Sequence, residues 1–137
     1  MTACFADAFY YFALLNPRDA AHTEAMKLTA NLRGPLVTTA WVLTEVADGL
    51  AETPSRTLFA PLVRQLRSSK LMTIIPPTEQ LFEESIQLYE ARPDKQWSLT
   101  DCVSMVAMRK LGITDVLTGD HHFHQAGFSL LFPTTTT

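Results

Sequence analysis

Short apolar runs alternate with longer amphipathic segments along this chain. The apolar runs, which have the length and composition of buried strands, are residues 2–6, 36–39, 71–75, 115–118 and 128–132. Helices are predicted between them at residues 8–15, 18–33, 40–51, 55–69, 78–92 and 99–111, with a short helical turn at 120–125. In the third of these helices, Leu43, Val46, Ala47 and Leu50 form the i, i+3, i+4, i+7 stripe of an amphipathic helix.

This alternation of strands and helices defines the fold class. It predicts an α/β protein with a mainly parallel sheet that helices cover on both faces. At 137 residues the chain has room for one such domain, which we expect at residues 1–132, with a flexible tail at 133–137. In sheets of this kind, ligands bind beyond the carboxyl ends of the strands.

Four acidic residues, Asp7, Glu45, Asp101 and Asp120, are the candidate functional residues. Asp7 and Asp120 each follow a predicted strand, so both are expected at the carboxyl edge of the sheet. Glu45 lies two turns into a helix that leaves the same edge, and Asp101 lies near the start of a later helix. Carboxylates that converge without basic partners repel one another, so they need a cation, and hard oxygen ligands suit Mg²⁺ or Mn²⁺. The pattern indicates a divalent metal site for phosphoester chemistry.

Each of these acids also has a purely structural interpretation. Asp7 and Asp120 can cap the helices that follow them, and Ser98 with Asp101 matches a capping box. Glu45 can be an ordinary solvated helix residue. The two interpretations are compatible, because a helix N-terminus stabilises a carboxylate in the ionised form that binds a metal.

Further polar residues lie close to the predicted site. His121, His122 and His124 share one turn, and the first and last of them have a spacing that suits a metal. The favoured interpretation is instead a polar surface near the cleft, from which one histidine contacts phosphate. Asp48 and Asp115 are additional candidate carboxylates.

Composition narrows the function classes. A net charge of −3 gives no overall basic character, so a surface that binds RNA would have to be local. Arg56, Arg64, Arg67 and Lys70 lie on or near one helix and form either a solvated face or such a surface.

Cysteine usage and hydropathy point to an ordinary globular protein. Cys4 and Cys102 lie in apolar sequence and are expected as small buried side chains, not as a disulfide or a zinc site. No apolar run approaches the roughly 20 residues of a membrane span, and no signal peptide is evident. We therefore expect a cytoplasmic protein without a membrane partner.

The contexts of the four acids carry a family resemblance. They are F-A-D-A-F at Asp7, T-E-V at Glu45, W-S-L-T-D-C at Asp101 and L-T-G-D-H-H-F, followed by A-G-F, at Asp120. In order and spacing, over residues 3–131, they resemble the PIN domain and within it the VapC-type toxin ribonucleases. The most specific part is W-S-L-T-D followed about twenty residues later by T-G-D-x-x-F-x-x-A-G-F.

The resemblance implies a fold, an activity and partners. The fold is a three-layer α/β/α sandwich around a parallel sheet, and the activity is that of a Mg²⁺- or Mn²⁺-dependent endoribonuclease. Such proteins are often homodimers, and a protein antitoxin usually holds the toxins inactive. Asp7, Glu45, Asp101 and Asp120 match the family's acidic quartet, and Thr118 matches its common Ser or Thr two residues before the last acid. The chain departs from many relatives at Ala8, where they carry a hydroxyl residue.

Alternative functions fit the sequence less well. A phosphatase of the haloacid dehalogenase type requires D-x-D after the first strand, whereas Ala8 and Phe9 follow Asp7 here. A receiver domain requires paired acids early and a lysine late, and we find no such set. A non-catalytic or non-toxin PIN-like module that binds or processes RNA remains the alternative to the enzyme.

Overall fold

The computed structural model describes residues 2–133. Its strands are β1 (Cys4–Ala6), β2 (Leu36–Thr39), β3 (Met72–Ile75), β4 (Asp115–Leu117) and β5 (Ser129–Leu130). Its helices are α1 (Ala8–Leu15), α2 (His22–Asn31), α3 (Ala40–Gly49), α4 (Phe59–Ser68), α5 (Glu79–Ala91), α6 (Leu99–Leu111) and α7 (His121–Gln125). A 3₁₀ turn at Ser55–Leu58 leads into α4.

The strands form one sheet in the order β3-β2-β1-β4-β5, and every neighbouring pair is parallel. The chain places β2 on one side of β1 and β4 on the other, so the strand order reverses between β1 and β4. A reversal of this kind opens a crevice at the carboxyl edge of the sheet. The predicted α/β fold with a parallel central sheet is confirmed.

The register of the two central strands decides which residues meet in that crevice. Cys4 of β1 lies opposite Asp115 of β4, and Ala6 lies opposite Leu117. The next positions along the two strands are Asp7 and Thr118. Residues that are 111 positions apart in the chain are therefore neighbours at the carboxyl edge.

Helices cover both faces of the sheet. Phe5 and Ala6 point to opposite faces because successive strand residues alternate, and both are fully buried. Val116 and Leu117 of β4 are equally inaccessible. This burial on both sides explains why the strands read as continuous apolar runs. The prediction that both cysteines are buried and unpaired is confirmed.

Several predicted boundaries were too wide. Helix α2 begins at His22 and not at residue 18, because Asp19 accepts a hydrogen bond from the backbone N–H of Ala21 and holds a turn there. The segment 55–69 divides into a 3₁₀ turn and α4. The last strand is shorter than the predicted 128–132, since it pairs with β4 alone.

Two expectations concern the ends and the surface of the chain. Of the predicted tail, residues 134–137 lie outside the described residues. No helix in the described part of the chain combines the length and apolar character that crossing a membrane requires.

Candidate functional site

Asp7 is a buried carboxylate at the junction of β1 and α1. It occupies the N-cap position of α1, yet its side chain makes no capping hydrogen bond. Its Oδ2 atom instead accepts a hydrogen bond of 2.8 Å from the hydroxyl of Thr118. Only 5% of Asp7 is exposed. The capping interpretation is therefore wrong for the Asp7 side chain.

Burial and neighbouring negative charge both act on Asp7. The pKa of Asp7 is raised from 3.8 to about 7, chiefly because the carboxylate is removed from water, while the Thr118 hydroxyl and the Ala8 backbone N–H act in the opposite direction. The carboxylates of Asp101 and Glu45 contribute to this rise. Asp7 thus lies within electrostatic reach of two other members of the predicted quartet.

Asp101 lies in the first turn of α6, where Ser98 fixes its position. The Ser98 hydroxyl accepts from the backbone N–H of Asp101 at 3.0 Å, and Asp101 Oδ2 accepts from the backbone N–H of Ser98 at 3.1 Å. The predicted capping box is confirmed. Burial raises the pKa of Asp101, the hydrogen bond from Ser98 lowers it, and the Asp120 carboxylate raises it.

Asp120 connects the end of β4 to α7. Its backbone N–H donates to the Thr118 hydroxyl oxygen at 3.1 Å, and its Oδ1 atom caps α7 by accepting from the backbone N–H of His122 at 3.0 Å. The capping prediction therefore holds for this residue. Thr118 contacts both Asp7 and Asp120, so one buried hydroxyl links two of the acids.

Glu45 approaches the same crevice from α3. Its side chain is half-buried, while Leu43 and Val46 of the apolar stripe are buried in the core. Burial raises the pKa of Glu45, and the carboxylates of Asp101 and Asp120 raise it further. The structure thus brings the four acids together from four different segments of the chain.

The two additional carboxylates do not join this group. Asp115 stands at the start of β4, opposite Cys4, at the amino end of the sheet. Thr118 is three residues further along, which corresponds to about 10 Å at the usual rise of a strand. Asp48 is exposed on α3. Asp115 is therefore a suitable control for substitutions within the site.

The sequence interpretation missed the position of His122. It paired His121 with His124, whereas the structure groups His121 and His122 with Asp120. The Nδ1 atom of His122 is 3.0 Å from Asp120 Oδ1 and 3.6 Å from Asp101 Oδ2. The available signal was adjacency to Asp120, since a short helix that begins after a capping acid carries its first residues beside that acid.

Among the described residues, no lysine or arginine forms an ion pair with any of the four carboxylates. The site is thus an acidic crevice at the carboxyl edge of a parallel sheet, with one histidine at its rim. Within residues 2–133, the donor atoms of Asp120, His121 and His122 lie within 4.8 Å of one another, which is close enough for a shared metal ion.

This fold and this arrangement of acids define the class of protein. The chain belongs to the PIN domain family, which matches residues 6–129. The predicted family resemblance is thereby confirmed.

Individual relatives agree with this assignment. The 23S rRNA-specific endonuclease VapC20 of Mycobacterium tuberculosis is 28% identical over 124 residues, which cover 90% of this chain and 94% of VapC20. The crystal structure of Mycobacterium tuberculosis VapC20, a sarcin–ricin loop cleaving toxin, superposes with a TM-score of 0.86 over 95% of this chain and 99% of VapC20. FitAcB from Neisseria gonorrhoeae has a TM-score of 0.70 at 17% identity, over 95% of this chain and 97% of that one, and shares the fold.

Proposed function

We propose that this protein is a Mg²⁺- or Mn²⁺-dependent endoribonuclease that hydrolyses RNA phosphodiesters, and that it is the cytoplasmic toxin of a toxin–antitoxin pair. The observation that carries the proposal is the convergence of Asp7, Glu45, Asp101 and Asp120 in one crevice, where burial and, after it, the neighbouring carboxylates raise the pKa values of Asp7, Glu45 and Asp101. Likeness to VapC20, which is described as an endonuclease and toxin, supports the same function.

The side chains fit a divalent ion. A carboxylate as buried as that of Asp7 needs a compensating positive charge to remain ionised, and a bound cation would supply it. We propose Asp7 and Asp101 as direct ligands, with Asp120 and Glu45 completing the set. The chemistry that such an ion supplies when bound is the activation of water and the neutralisation of charge on phosphate oxygens.

The protein's own groups have separable roles in this scheme. Thr118 positions Asp7 and Asp120, and Ser98 positions Asp101, so the ligands are held before any ion binds. Glu45 is half-buried, and its pKa is raised by burial, so it is placed to accept a proton from an attacking water. Because Ala8 has no hydroxyl, the hydrogen bonds to Asp7 come from the Thr118 hydroxyl and the Ala8 backbone N–H.

An apolar groove supports the proposal of an antitoxin partner. It has a volume of about 270 Å³ and lies between α1, α2 and α4. Tyr10 and Leu14 line one wall, and Leu62 and Leu66 line the other. These residues belong to the aromatic run of α1 and to α4, which are suited to receive the apolar face of a partner helix. We propose that an antitoxin segment occupies this groove.

A partly exposed aromatic pair supports the proposed homodimer. The rings of Trp41 on α3 and Phe82 on α5 stack with centroids 6.4 Å apart, and Phe82 is 38% exposed. Burial of this surface against a second copy would remove apolar area from water. Light scattering after size exclusion should therefore give a dimer mass, and Phe82→Glu should shift the protein toward monomer.

The decisive test is RNA cleavage by the purified protein in Mg²⁺, in Mn²⁺ and in EDTA. A hairpin with the sarcin–ricin loop sequence, transfer RNA and messenger RNA serve as alternative substrates. We expect cleavage only with metal, and a loss of roughly 100-fold or more in Asp7→Asn and Asp101→Asn. The matched control Asp115→Asn should retain activity. Undiminished cleavage by both site variants would overturn the catalytic assignment and favour an RNA-binding module without turnover.

A further inference from the structure

His122 approaches two of the four carboxylates through a nitrogen that makes no hydrogen bond to the described residues. Its Nδ1 atom is 3.0 Å from Asp120 Oδ1 and 3.6 Å from Asp101 Oδ2. This nitrogen is inaccessible to solvent and, among the described residues, makes no hydrogen bond, so the short approach to Asp120 has the wrong geometry for one. Buried polar atoms nearly always have a partner. Within the described residues, this nitrogen is left without a hydrogen bond and is available to a bound ion.

The surrounding contacts hold both the imidazole and the carboxylates in place. The backbone N–H of His122 donates to Asp120 Oδ1, and the backbone N–H of Asp120 donates to Thr118. The His122 ring packs against the ring of His121, with centroids 4.4 Å apart, and only 22% of the His122 side chain is exposed. Asp101 is fixed by its capping box. The nitrogen and the carboxylate oxygens thus border one small volume between α6 and α7.

The separation of His122 Nδ1 from Asp120 Oδ1 is that of two ligands on a common ion. Two ligands at right angles, each about 2.1 Å from a metal, lie about 3.0 Å apart. The distance from His122 Nδ1 to Asp120 Oδ1 is 3.0 Å, and both residues belong to a group of donor atoms that lie within 4.8 Å of one another.

We propose that His122 Nδ1 is a nitrogen ligand of the metal site, beside Asp120. This inference rests on the proposed function, because it concerns the same site. A neutral imidazole binds first-row transition ions, whereas Mg²⁺ selects oxygen ligands. Compared with a site made of carboxylates alone, a site with this nitrogen should have a higher affinity for transition ions relative to Mg²⁺.

The next residue supplies a matched control. His121 carries the same side chain in the same turn and belongs to the same group of donor atoms around Asp120, but it is 70% exposed, and its Nδ1 atom is 3.7 Å from Asp120 Oδ1. If a histidine near the acids acted only through general charge or solvation, His121→Gln and His122→Gln would have similar effects on metal binding.

The test is pulsed EPR of the protein loaded with Mn²⁺ alone. We expect the coupling of a directly bound nitrogen in the unsubstituted protein and in His121→Gln, and its loss in His122→Gln. Labelling histidine with ¹⁵N should change the coupling pattern of the unsubstituted protein, so the result does not depend on the folding of a variant. Titrations should show Mn²⁺ affinity falling roughly 10- to 100-fold in His122→Gln, with a smaller loss for Mg²⁺.

The outcomes separate this inference from the proposed function. If Mn²⁺ binds without nitrogen coupling, His122 is not a ligand, and the carboxylate site of the proposed function stands alone. If the unsubstituted protein binds Mg²⁺ but no Mn²⁺, this inference alone fails. If it binds neither ion, both proposals fail. If His121→Gln also abolishes the coupling, the assignment to His122 is wrong.

Discussion

The Thr118 hydroxyl donates a hydrogen bond of 2.8 Å to Asp7 Oδ2, and it does so across 111 residues of chain. Both side chains are buried, and Thr118 also accepts from the backbone N–H of Asp120. The contact joins the ends of the two central strands at the point where the strand order reverses. It places two of the acids on either side of a single hydroxyl.

Replacement of Thr118 by valine tests this contact. Asp7 would keep its burial and lose a donor, so we expect a loss of about 1–3 kcal/mol in the free energy of unfolding at pH 8. The loss should be smaller at pH 5, where Asp7 is protonated, because its pKa is about 7. Urea unfolding in EDTA measures both values. Thr73→Val on β3, where the threonine is exposed, is the control, and an equal effect there would contradict the prediction.

The raised pKa of Asp7 predicts how stability depends on pH without metal. Between about pH 4 and pH 7 the folded protein binds more protons than the unfolded chain, because the pKa rises from 3.8 to about 7 on folding. The stability of the metal-free protein should therefore fall as pH rises through this range. Asp7→Asn removes this titrating group. The free energy of unfolding of the variant should therefore be higher than that of the unsubstituted protein by on the order of 1–3 kcal/mol at pH 8.

The measurement is urea unfolding in EDTA at pH 5 and at pH 8. Asp115→Asn, a substitution at the opposite end of β4, should leave the pH dependence as it is in the unsubstituted protein. If the metal-free Asp7→Asn variant is less stable at pH 8 than the unsubstituted protein, burial of the ionised Asp7 carboxylate does not destabilise the fold.

Ser98 should affect both stability and metal binding. Ser98→Ala removes the N-cap of α6, with an expected loss of about 0.5–2 kcal/mol in the free energy of unfolding. It also frees Asp101, so metal affinity should fall. Thr78→Ala removes the equivalent cap of α5, where the Thr78 side chain accepts from the backbone N–H of Leu81 at 3.2 Å. The control should lose similar stability with unchanged metal affinity by calorimetry.

Gly119, which lies between Thr118 and Asp120 in the chain, packs closely against the ring of Phe9. A Cβ atom at this position would lie 2.7 Å from Cζ of Phe9, whose ring packs edge-on against Phe132. Gly119→Ala should therefore cost about 1–3 kcal/mol in stability through overpacking. Because Thr118 and Asp120 flank this glycine, metal affinity should fall as well.

A double-mutant cycle checks this explanation. Phe9→Leu shortens the ring that meets the new methyl group, so the double variant should recover part of the loss, with a coupling of about 0.5–3 kcal/mol. Strictly additive effects of Gly119→Ala and Phe9→Leu would exclude the proposed clash.

Much of the fold was predictable because local pattern determines it. The bounds of α1, β2 and α6 agree with the sequence prediction residue for residue, since strand-to-helix junctions and Gly112 at the end of α6 are local signals. The start of α2 was not predictable from apolar periodicity, because the Asp19 side chain stabilises a turn in competition with the helix.

The sequence by itself singled out the four acids, because Asp7 and Asp120 follow strands, Asp101 lies in the first turn of a helix and Glu45 lies on the helix after β2, each in a recognisable context. Only the tertiary structure decided how they are arranged. The register of β1 against β4 brings Thr118 to Asp7, so the Asp7 side chain does not act as a cap, and the turn of α7 directs His122 Nδ1 toward Asp101 and Asp120. Those relations depend on strand pairing and helix orientation between distant segments, and no local pattern encodes the distances between side chains that are far apart in the chain.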